Sequence, residues 1–384
     1  ITQIEENEQY LSGDVLLASA FISYIGPFTK KYRDTLIHEH WVPFLHSCGG
    51  KDDEGIPMGI PMSPEANPLA VITDDAEVAK WRTQTLPADR VSTENGAIVM
   101  SSGRWPLLVD PQLQGIHWLK AMFKDSGLDV VRVGSKDIMR KVETAIREGR
   151  TVIVENMLED GPDAPLMPVV SRSLLYRGGR KFYKLGEEEI EVHDNFKFFL
   201  HTKLANPHYA PEIHAETTMV NFTVTQQGLE DQLLSLVVQK ERTDLAQQRS
   251  YLIEQNNQFK VKLKALEDLI LQKLADAEGD VTTDVELIES LEDAKKTSND
   301  IKKKMDIAVE TEKEINITSE KYRDVAKRGS LLFFVMNDLF RIHSFYMYSL
   351  NAFVVIFMRG IDLVSSSGGG GSKGKGALMS RFKK

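Results

Sequence analysis

Apolar residues recur every seven positions along residues 238–322. The first series consists of Val238, Leu245, Leu252, Phe259 and Leu266, with Leu263 and Ile270 on a second row. The second series consists of Leu287, Ala294, Ile301, Ala308, Ile315 and Tyr322, with Leu291 and Met305 on its companion row. A seven-residue repeat keeps one seam of a helix turned toward a partner helix, which is typical of a coiled coil. The pattern predicts two long helices that each supercoil around a partner.

A short polar segment, residues 276–280, separates the two series. Gly279 suits a turn, and Thr283 followed three residues later by Glu286 is a capping-box pattern that starts the second helix. Because helices joined by so short a connection fold back on each other, we predict an antiparallel coiled-coil hairpin over residues 226–328. Arms of about 40 residues extend roughly 60 Å at 1.5 Å per residue. A parallel dimer of two chains is the alternative, and the polar break disfavours it.

Short apolar segments alternate with helical patterns upstream of this hairpin. The predicted strands are residues 105–110, 129–133, 151–155, 196–204 and 217–224. The predicted helices between them are residues 113–123, 135–147 and 164–175, the last broken by prolines. Continuous apolar strands that alternate with helices are typical of a parallel sheet covered on both faces. We therefore expect residues 13–225 to form an α/β domain of the kind that binds nucleotides.

Further helices are predicted on both sides of these two regions. Residues 13–41 carry two amphipathic helical patterns that are broken at Gly26-Pro27. The apolar run over residues 330–357 is interrupted by Asn337, Asp338, Arg341 and His343. A membrane span needs about 20 uninterrupted apolar residues, so buried helices are the better interpretation. We expect a small helical region over residues 329–361.

The two ends of the chain give separate expectations. Residues 362–384 are basic and rich in Gly and Ser, which is typical of a flexible linker or an expression tag. The chain begins with neither a Met nor the apolar region of a signal peptide. We expect it to be a piece of a larger protein.

Composition narrows the function class. The 384 residues are 42% hydrophobic and 27% charged, which is ordinary for a soluble protein of two or three domains. A net charge of −9 disfavours nucleic-acid binding, which usually needs a basic surface to neutralise phosphates. The single cysteine, Cys48, excludes an intramolecular disulfide and a multi-cysteine zinc site. The default is a reducing compartment such as the cytosol.

The loop after the first predicted strand should hold a nucleotide's phosphates. A P-loop there requires the pattern Gly-x-x-x-x-Gly-Lys-Ser/Thr, with bare backbone and a lysine around the phosphates and a hydroxyl on magnesium. The corresponding positions here are Asp110, Gly115, Ile116 and His117, of which only the glycine fits. A carboxylate at the first position would repel phosphate oxygens. We predict that ordinary triphosphate binding is lost.

The end of the third predicted strand should supply the hydrolytic carboxylates. Such strands usually end in Asp-Glu, one residue for magnesium and one to activate water. Here Glu155 and Asn156 follow the apolar residues, so the presumed base position holds an amide. Metal coordination by Glu155 is one possibility, and an ion pair with a Lys or Arg is the simpler interpretation.

Histidines and the cysteine give weaker candidates. His38 and His40 are two residues apart and so lie on different faces of a helix, which disfavours a zinc site. His201 and His208 flank a strand end and a turn, where structural roles are expected. Cys48 has no base near it in sequence, so nucleophilic catalysis is not indicated.

Long strings of residues resemble a known family. They are Phe21-Ile22-Ser23-Tyr24-Ile25-Gly26-Pro27-Phe28, Arg104-Trp105-Pro106-Leu107-Leu108-Val109-Asp110-Pro111-Gln112, Thr202-Lys203-Leu204, Asn206-Pro207-His208-Tyr209, Asn221-Phe222-Thr223-Val224-Thr225 and Gly228-Leu229-Glu230-Asp231-Gln232-Leu233-Leu234. They resemble the fifth AAA+ module of a dynein heavy chain, over nearly all of residues 1–361. The strings around residues 202–213 are similar to axonemal rather than cytoplasmic dyneins.

The resemblance implies a division of labour along the chain. Residues 1–12 would end a helix of the microtubule-binding stalk, residues 13–225 would form the AAA+ large subdomain, and residues 226–328 the buttress hairpin that braces the stalk. The implied partners are the fourth and sixth modules, the stalk and the linker of the same chain, the microtubule indirectly, and dynein intermediate and light chains. No cofactor, metal, nucleic acid or membrane is implied for this module, since ATP binds at other modules. The implied location is the ciliary or flagellar axoneme, with the cytoplasm as the fallback.

Two functions follow from these observations. The first is a non-hydrolysing module that relays conformational change through its hairpin to the stalk. Candidate stalk contacts on the hairpin are Arg242, Arg249, Lys260, Lys302 and Lys303, although solvated charges are the simpler interpretation of each. The second is a nucleotide-binding or hydrolysing module with an atypical site that uses Glu155 and Arg104.

Overall fold

The computed structural model describes residues 2–48, 59–64, 66–275, 285–346 and 348–366. The chain divides into two compact units, Ile1–Thr223 and Val224–Lys384. The predicted turn with Gly279 and Thr283, and the tail from residue 367 onward, lie outside the described residues.

Helices open the first unit. Helix α1 covers Thr2–Tyr24, and the chain then turns at Gly26-Pro27 as predicted. Helix α2 covers Lys30–Asp34 and continues through a π-helical segment, Thr35–Trp41, into α3, Val42–Ser47. The single helix α1 runs through residues 12 and 13, where the sequence suggested a domain boundary.

Three capped helices lead to the sheet. Their bounds are α4 Pro68–Ile72, α5 Asp75–Thr83 and α6 Arg90–Ser101. Asp74 accepts a hydrogen bond from the Glu77 N–H at 2.8 Å, and Asp89 accepts one from the Ser92 N–H at 3.0 Å. These side chains bond the free N–H groups at the helix starts, which fixes where α5 and α6 begin.

Eight strands follow in the described part of the chain. They are β1 Trp105–Val109, β2 Leu128–Arg132, β3 Thr151–Glu155, β4 Leu174–Arg177, β5 Arg180–Leu185, β6 Glu188–Glu191, β7 Lys197–Thr202 and β8 Thr217–Asn221. The helices among them are α7 Gln114–Met122, α8 Ile138–Glu148, α9 Met167–Val170 and α10 Pro211–Glu216. Five of the strands form one parallel sheet in the order β2-β3-β7-β1-β8. The predicted α/β core with a parallel sheet is therefore confirmed.

Both faces of the parallel sheet are covered. Leu107 packs in one buried apolar cluster and its neighbour Leu108 in another, because successive strand residues point to opposite faces. The first cluster includes Val142 of α8, and the second includes Trp118 of α7. Strands that are buried on both faces explain the uninterrupted apolar runs in the sequence.

The prediction of one helix over the whole of residues 164–175 is wrong. A 3-10 turn, Ala164–Leu166, and the four-residue helix α9 occupy its start, and Leu174 already belongs to β4. Prolines lack an N–H and interrupt helices, which is why the helical segment is so short. Strands β4, β5 and β6 form a separate antiparallel sheet, with Gly178-Gly179 as a two-residue hairpin turn.

The second unit is helical. Its helices are α11 Gln226–Glu241, α12 Thr243–Ala275, α13 Val285–Ser319, α14 Arg323–Asp338 and α15 Leu350–Ser366. Leu233, Phe333 and Phe353, from α11, α14 and α15, share one buried apolar cluster. Within the described residues, no helix is both long and apolar enough to cross a membrane. Helix α15 extends to Ser366. The first residues of the linker that was predicted from residue 362 are therefore helical.

Helices α12 and α13 have 33 and 35 residues and pack against each other. Four members of the predicted second series are buried in this pairing: Ala294, Ile301, Ala308 and Ile315. The sequence predicted one hairpin over residues 226–328, but its two arms are interrupted in the structure. Arg242 leaves helical geometry at φ −138° and ψ 68°, and a 3-10 turn, Glu320–Tyr322, separates α13 from α14. The long pair is therefore confined to α12 and α13.

Candidate functional site

The candidate site lies where β1 ends and α7 begins. Asp110 follows the last residue of β1, and its N–H donates to the Thr202 carbonyl at 2.9 Å. Leu113 precedes α7 in the left-handed region, at φ 64°. This turn directs the N–H groups at the start of α7 back toward Asp110. The carboxyl ends of parallel strands and the N-terminus of the next helix form the usual place for phosphate in α/β proteins.

The Asp110 carboxylate occupies this place itself. Its Oδ1 accepts the Gln114 N–H at 2.9 Å, and its Oδ2 accepts the Ile116 N–H at 2.9 Å. The side chain of Asp110 is fully buried. A helix N-terminus attracts an anion through its free N–H groups, and here the anion belongs to the chain. We name Asp110 and the residues 113–116 that surround its carboxylate the filled cradle.

The filled cradle gives Asp110 a different role from the repulsion that the sequence suggested. The sequence suggested that Asp110 would repel phosphate oxygens. In the structure, the carboxylate already accepts the N–H groups that would bind them. Asp110 therefore occupies these N–H groups directly, rather than acting on an anion from a distance.

Burial sets the charges around the cradle. It raises the pKa of Asp110 to about 6, while the backbone N–H groups of Ile116 and Gln114 act in the opposite direction. His201 of β7 places Nε2 3.8 Å from Oδ2 of Asp110, and burial lowers the pKa of His201 to about 4. At pH 7 the carboxylate is therefore charged and the imidazole is neutral.

The second candidate pair lies at the end of β3. Glu155 Oε2 is 3.3 Å from Lys120 Nζ of α7, which is the ion pair that the sequence favoured over a metal. Asn156 has a left-handed backbone at φ 60°, and its N–H donates to His201 Nδ1 at 3.2 Å. Since Nδ1 accepts this hydrogen bond, the neutral imidazole carries its proton on Nε2, the atom that faces Asp110.

The remaining P-loop positions hold a buried apolar side chain and an exposed histidine. Ile116 is 1% exposed and packs in the core, and His117 is exposed on α7. A Cβ on Gly115 would lie 2.9 Å from Leu108 Cδ2 and 2.9 Å from Phe222 Cγ. The glycine therefore permits close packing between α7 and the sheet.

The structure does not bring together Glu155 and Arg104, the two residues that the sequence suggested for an atypical hydrolytic site. Arg104 immediately precedes β1, whereas Glu155 ends β3, and the strands are parallel. The two side chains therefore start from opposite ends of the sheet. Arg104 Nη1 instead donates to the Ala215 carbonyl at 2.9 Å.

The other sequence candidates do not form a second site. His38 and His40 are exposed in the π-helical segment, and among the described residues no group of His, Cys, Asp and Glu could hold a metal. His208 faces Asn206 at 3.4 Å, and Cys48 is exposed.

Sequence reasoning missed one residue of the site and one contact within it. Lys120 was not singled out, although its place one turn beyond His117 on the predicted helix could have indicated a partner for a strand-end carboxylate. The bond between His201 and Asn156 joins residues 45 positions apart, and no sequence pattern indicates it.

Comparison with known proteins shows the family to which the chain belongs. The family described as "ATP-binding dynein motor region" matches residues 79–301, more than half of the chain. The chain belongs to this dynein family. The N-terminal residues 1–45 match a second description, "Microtubule-binding stalk of dynein motor".

Similar dyneins agree on the axonemal type. The chain is 50% identical over 98% of its length to the "Dynein alpha chain, flagellar outer arm" of Chlamydomonas reinhardtii. It is 44% identical over 94% of its length to "Dynein axonemal heavy chain 9" of Homo sapiens, and 46% identical over 93% to the "Dynein beta chain, ciliary" of Tripneustes gratilla. It spans only 8% of the length of each of these proteins. The predicted axonemal dynein heavy chain and its ciliary or flagellar location are confirmed.

Proposed function

We propose that this chain is a non-hydrolysing module of a dynein motor, the fifth AAA+ module, which relays conformational change to the microtubule-binding stalk. The observation that carries the proposal is the filled cradle. Asp110 uses the N–H groups of Gln114 and Ile116 that a nucleotide's phosphates require. Asn156 stands where the hydrolytic base is needed, and an amide cannot accept a proton from water.

The relay is assigned to the long helix pair. Nine residues separate α12 from α13, and the two helices pack together, which favours an antiparallel coiled-coil hairpin. The 33 residues of α12 span about 50 Å at 1.5 Å per residue. Two packed helices resist bending better than one, so the pair can act as a buttress that transmits movement to the stalk.

The hairpin surface narrows the candidate stalk contacts. Arg242 is bonded to Asp244 at 2.7 and 2.9 Å, and the Nε atom of Arg249 is buried. Lys260 of α12 is half-buried, whereas Lys302 and Lys303 are exposed on α13. We therefore infer that these two lysines, rather than the two arginines, face the stalk.

The proposed partners are those of a ring module. They are the neighbouring fourth and sixth modules, the linker and the stalk of the same heavy chain, with the microtubule contacted indirectly. Intermediate and light chains would join in the parent complex. The match of residues 1–45 to a microtubule-binding stalk supports the stalk as a neighbour.

A nucleotide-binding module is the competing function. The family description includes ATP binding, and the strand, turn and helix of a phosphate site are all present in β1, the turn at residues 110–113 and α7. Under this function, the Asp110 carboxylate would move aside for the phosphates. Measured affinity for Mg·ATP separates the two functions.

Isothermal titration calorimetry with Mg·ATP tests the proposal. We expect no binding tighter than about 100 μM, which corresponds to roughly −5.5 kcal/mol. The matched variant Asp110→Gly removes the internal anion and frees the N–H groups, so it should bind inorganic phosphate or Mg·ATP more tightly than the parent. A Kd of the parent chain for Mg·ATP below about 100 μM would favour the competing function instead.

A further inference from the structure

A buried arginine lies where the chain turns after α1. Arg33 of α2 is 1% exposed. Its Nε donates to the Phe28 carbonyl at 2.8 Å, and its Nη2 donates to the Gly26 carbonyl at 3.0 Å. The guanidinium therefore holds the corner formed by residues 25–29 from inside.

The same guanidinium reaches two residues of α6. Nη1 donates to Glu94 Oε2 at 3.1 Å, and Nη2 donates to Asn95 Oδ1 at 2.7 Å. The other oxygen of Glu94 accepts from Nε of Arg90 at 2.9 Å, an exposed arginine with 57% of its side chain accessible. Arg33 thus bonds the corner to α6 in fixed directions, which only the planar fork of an arginine provides.

The corner is also bonded to the last residue of β8. The Asn221 N–H donates to the Gly26 carbonyl at 3.0 Å, and Asn221 Nδ2 donates to the Pro27 carbonyl at 3.2 Å. Asn95 Nδ2 donates to the Asn221 carbonyl at 2.7 Å, which closes the network. A Cβ on Gly26 would lie 2.3 Å from the Met219 carbonyl, so the corner is pressed against the strand.

This network joins the two matched regions of the chain. Arg33 and the corner lie within residues 1–45, which match the stalk description, and the bonded residues of α6 and β8 lie within residues 79–301, which match the motor region. A buried ion pair adds little to stability when compared with apolar side chains of similar size. Fixed geometry is the better physical reason for burying a charge at this joint.

We propose that Arg33 is a positioning residue that fixes the end of α1 against α6 and β8. A shift of α1 along its axis then moves the edge of the sheet, because the corner between them cannot absorb it. The inference rests on the proposed relay function and names the joint through which the stalk segment and the module move together.

The test uses the full-length motor with two substitutions at the joint. Arg33→Lys keeps the charge and loses the fork, and the pair Arg33→Met with Glu94→Met replaces the ion pair by apolar side chains. The readout is the ratio of microtubule Kd values with and without ATP. We expect this ratio to fall toward one in both variants, from the roughly 5- to 150-fold range that is usual for coupled sites.

Arg90→Met is the matched control, because Arg90 bonds the same carboxylate from outside the joint. It should leave the ratio unchanged. Hydrogen exchange measured on the same motors should become faster at residues 25–33 and at the end of β8 in the Arg33 variants only. Should the double variant not fold, Arg33→Lys decides the matter through both measurements.

An unchanged Kd ratio together with unchanged exchange in a folded Arg33→Lys motor would overturn the inference. That result leaves the proposed function intact, since the function is tested separately by Mg·ATP calorimetry. Tight Mg·ATP binding would remove the non-hydrolysing assignment without altering the expected effect of Arg33.

Discussion

The charge inside the filled cradle gives a prediction about stability and pH. Burial raises the pKa of Asp110 from 3.8 to about 6, so the folded state holds the proton more tightly than the unfolded state. Protonation therefore stabilises the fold, and the stabilisation is lost as pH rises from about 4 to about 6. A difference of about two units between the pKa of Asp110 in the folded and unfolded states corresponds to roughly 3 kcal/mol in the free energy of unfolding. The variant Asp110→Asn cannot titrate and should lack this pH dependence.

The difference in the free energy of unfolding between the parent chain and Asp110→Asn should change with pH. On lowering the pH from 7 to 4, the parent chain should gain up to roughly 3 kcal/mol relative to Asp110→Asn. His201 works in the opposite direction, because burial lowers its pKa to about 4 and acidification then destabilises the fold. His201 is present in both proteins, so its direct effect cancels in the difference.

Urea unfolding followed by tryptophan fluorescence measures this difference across the pH range. Trp118 is fully buried on α7 and should report unfolding of the site. Asp125→Asn, the same substitution at an exposed aspartate just beyond α7, is the control for the change of side chain. A difference for Asp110→Asn that stays within about 0.5 kcal/mol from pH 4 to 7, or that changes in the opposite direction, would refute the burial of this carboxylate in the cradle.

Three further substitutions test the packing around the site and the hairpin. Gly115→Ala places a methyl group 2.9 Å from Leu108 Cδ2 and should cost about 1–3 kcal/mol in urea unfolding; an unchanged midpoint would contradict the close packing. Lys120→Met removes the partner of Glu155, and because Lys120 is 35% exposed, thermal unfolding should show a loss of less than about 1 kcal/mol. Ile301→Ala leaves a cavity in the α12–α13 seam and should cost about 2–5 kcal/mol, measured as loss of helical circular dichroism on heating; no loss would mean that the seam does not hold the pair.

The sequence predicted the parts of the fold that depend on local patterns. Strands buried on both faces were visible as apolar runs, and β3 was placed at Thr151–Glu155, with the same bounds as in the structure. The small sheet β4–β6 was missed because its strands are short, charged and largely exposed. The Gly178-Gly179 turn was the available signal.

The sequence predicted the residue types of the candidate site but not the position of the Asp110 carboxylate. The missing lysine and hydroxyl of the P-loop follow directly from Ile116 and His117 in the sequence. The position of the Asp110 carboxylate at the helix N-terminus depends on the left-handed backbone of Leu113. A positive φ is uncommon for leucine, so the sequence does not predict this turn.

The burial of Arg33 was equally inaccessible to sequence reasoning. It follows Lys30 and Lys31 in a charged segment that is typical of a solvated helix face. Only the tertiary position of the corner at Gly26 decides which of these cations is buried.

Shortening the long helix pair inside an intact axonemal dynein tests the relay most directly. Removing one heptad from each arm, residues 253–259 and 301–307, keeps the seam in phase and lowers the end of the pair by about 10 Å. The control Glu310→Ala changes an exposed residue of α13 outside the deleted heptad and keeps the length of the arms. The measurement is the ratio of microtubule Kd values with and without ATP. We expect the ratio to fall toward one in the shortened motor while ATP hydrolysis at other modules continues. A ratio equal to that of the parent motor would show that the helix pair is not the relay.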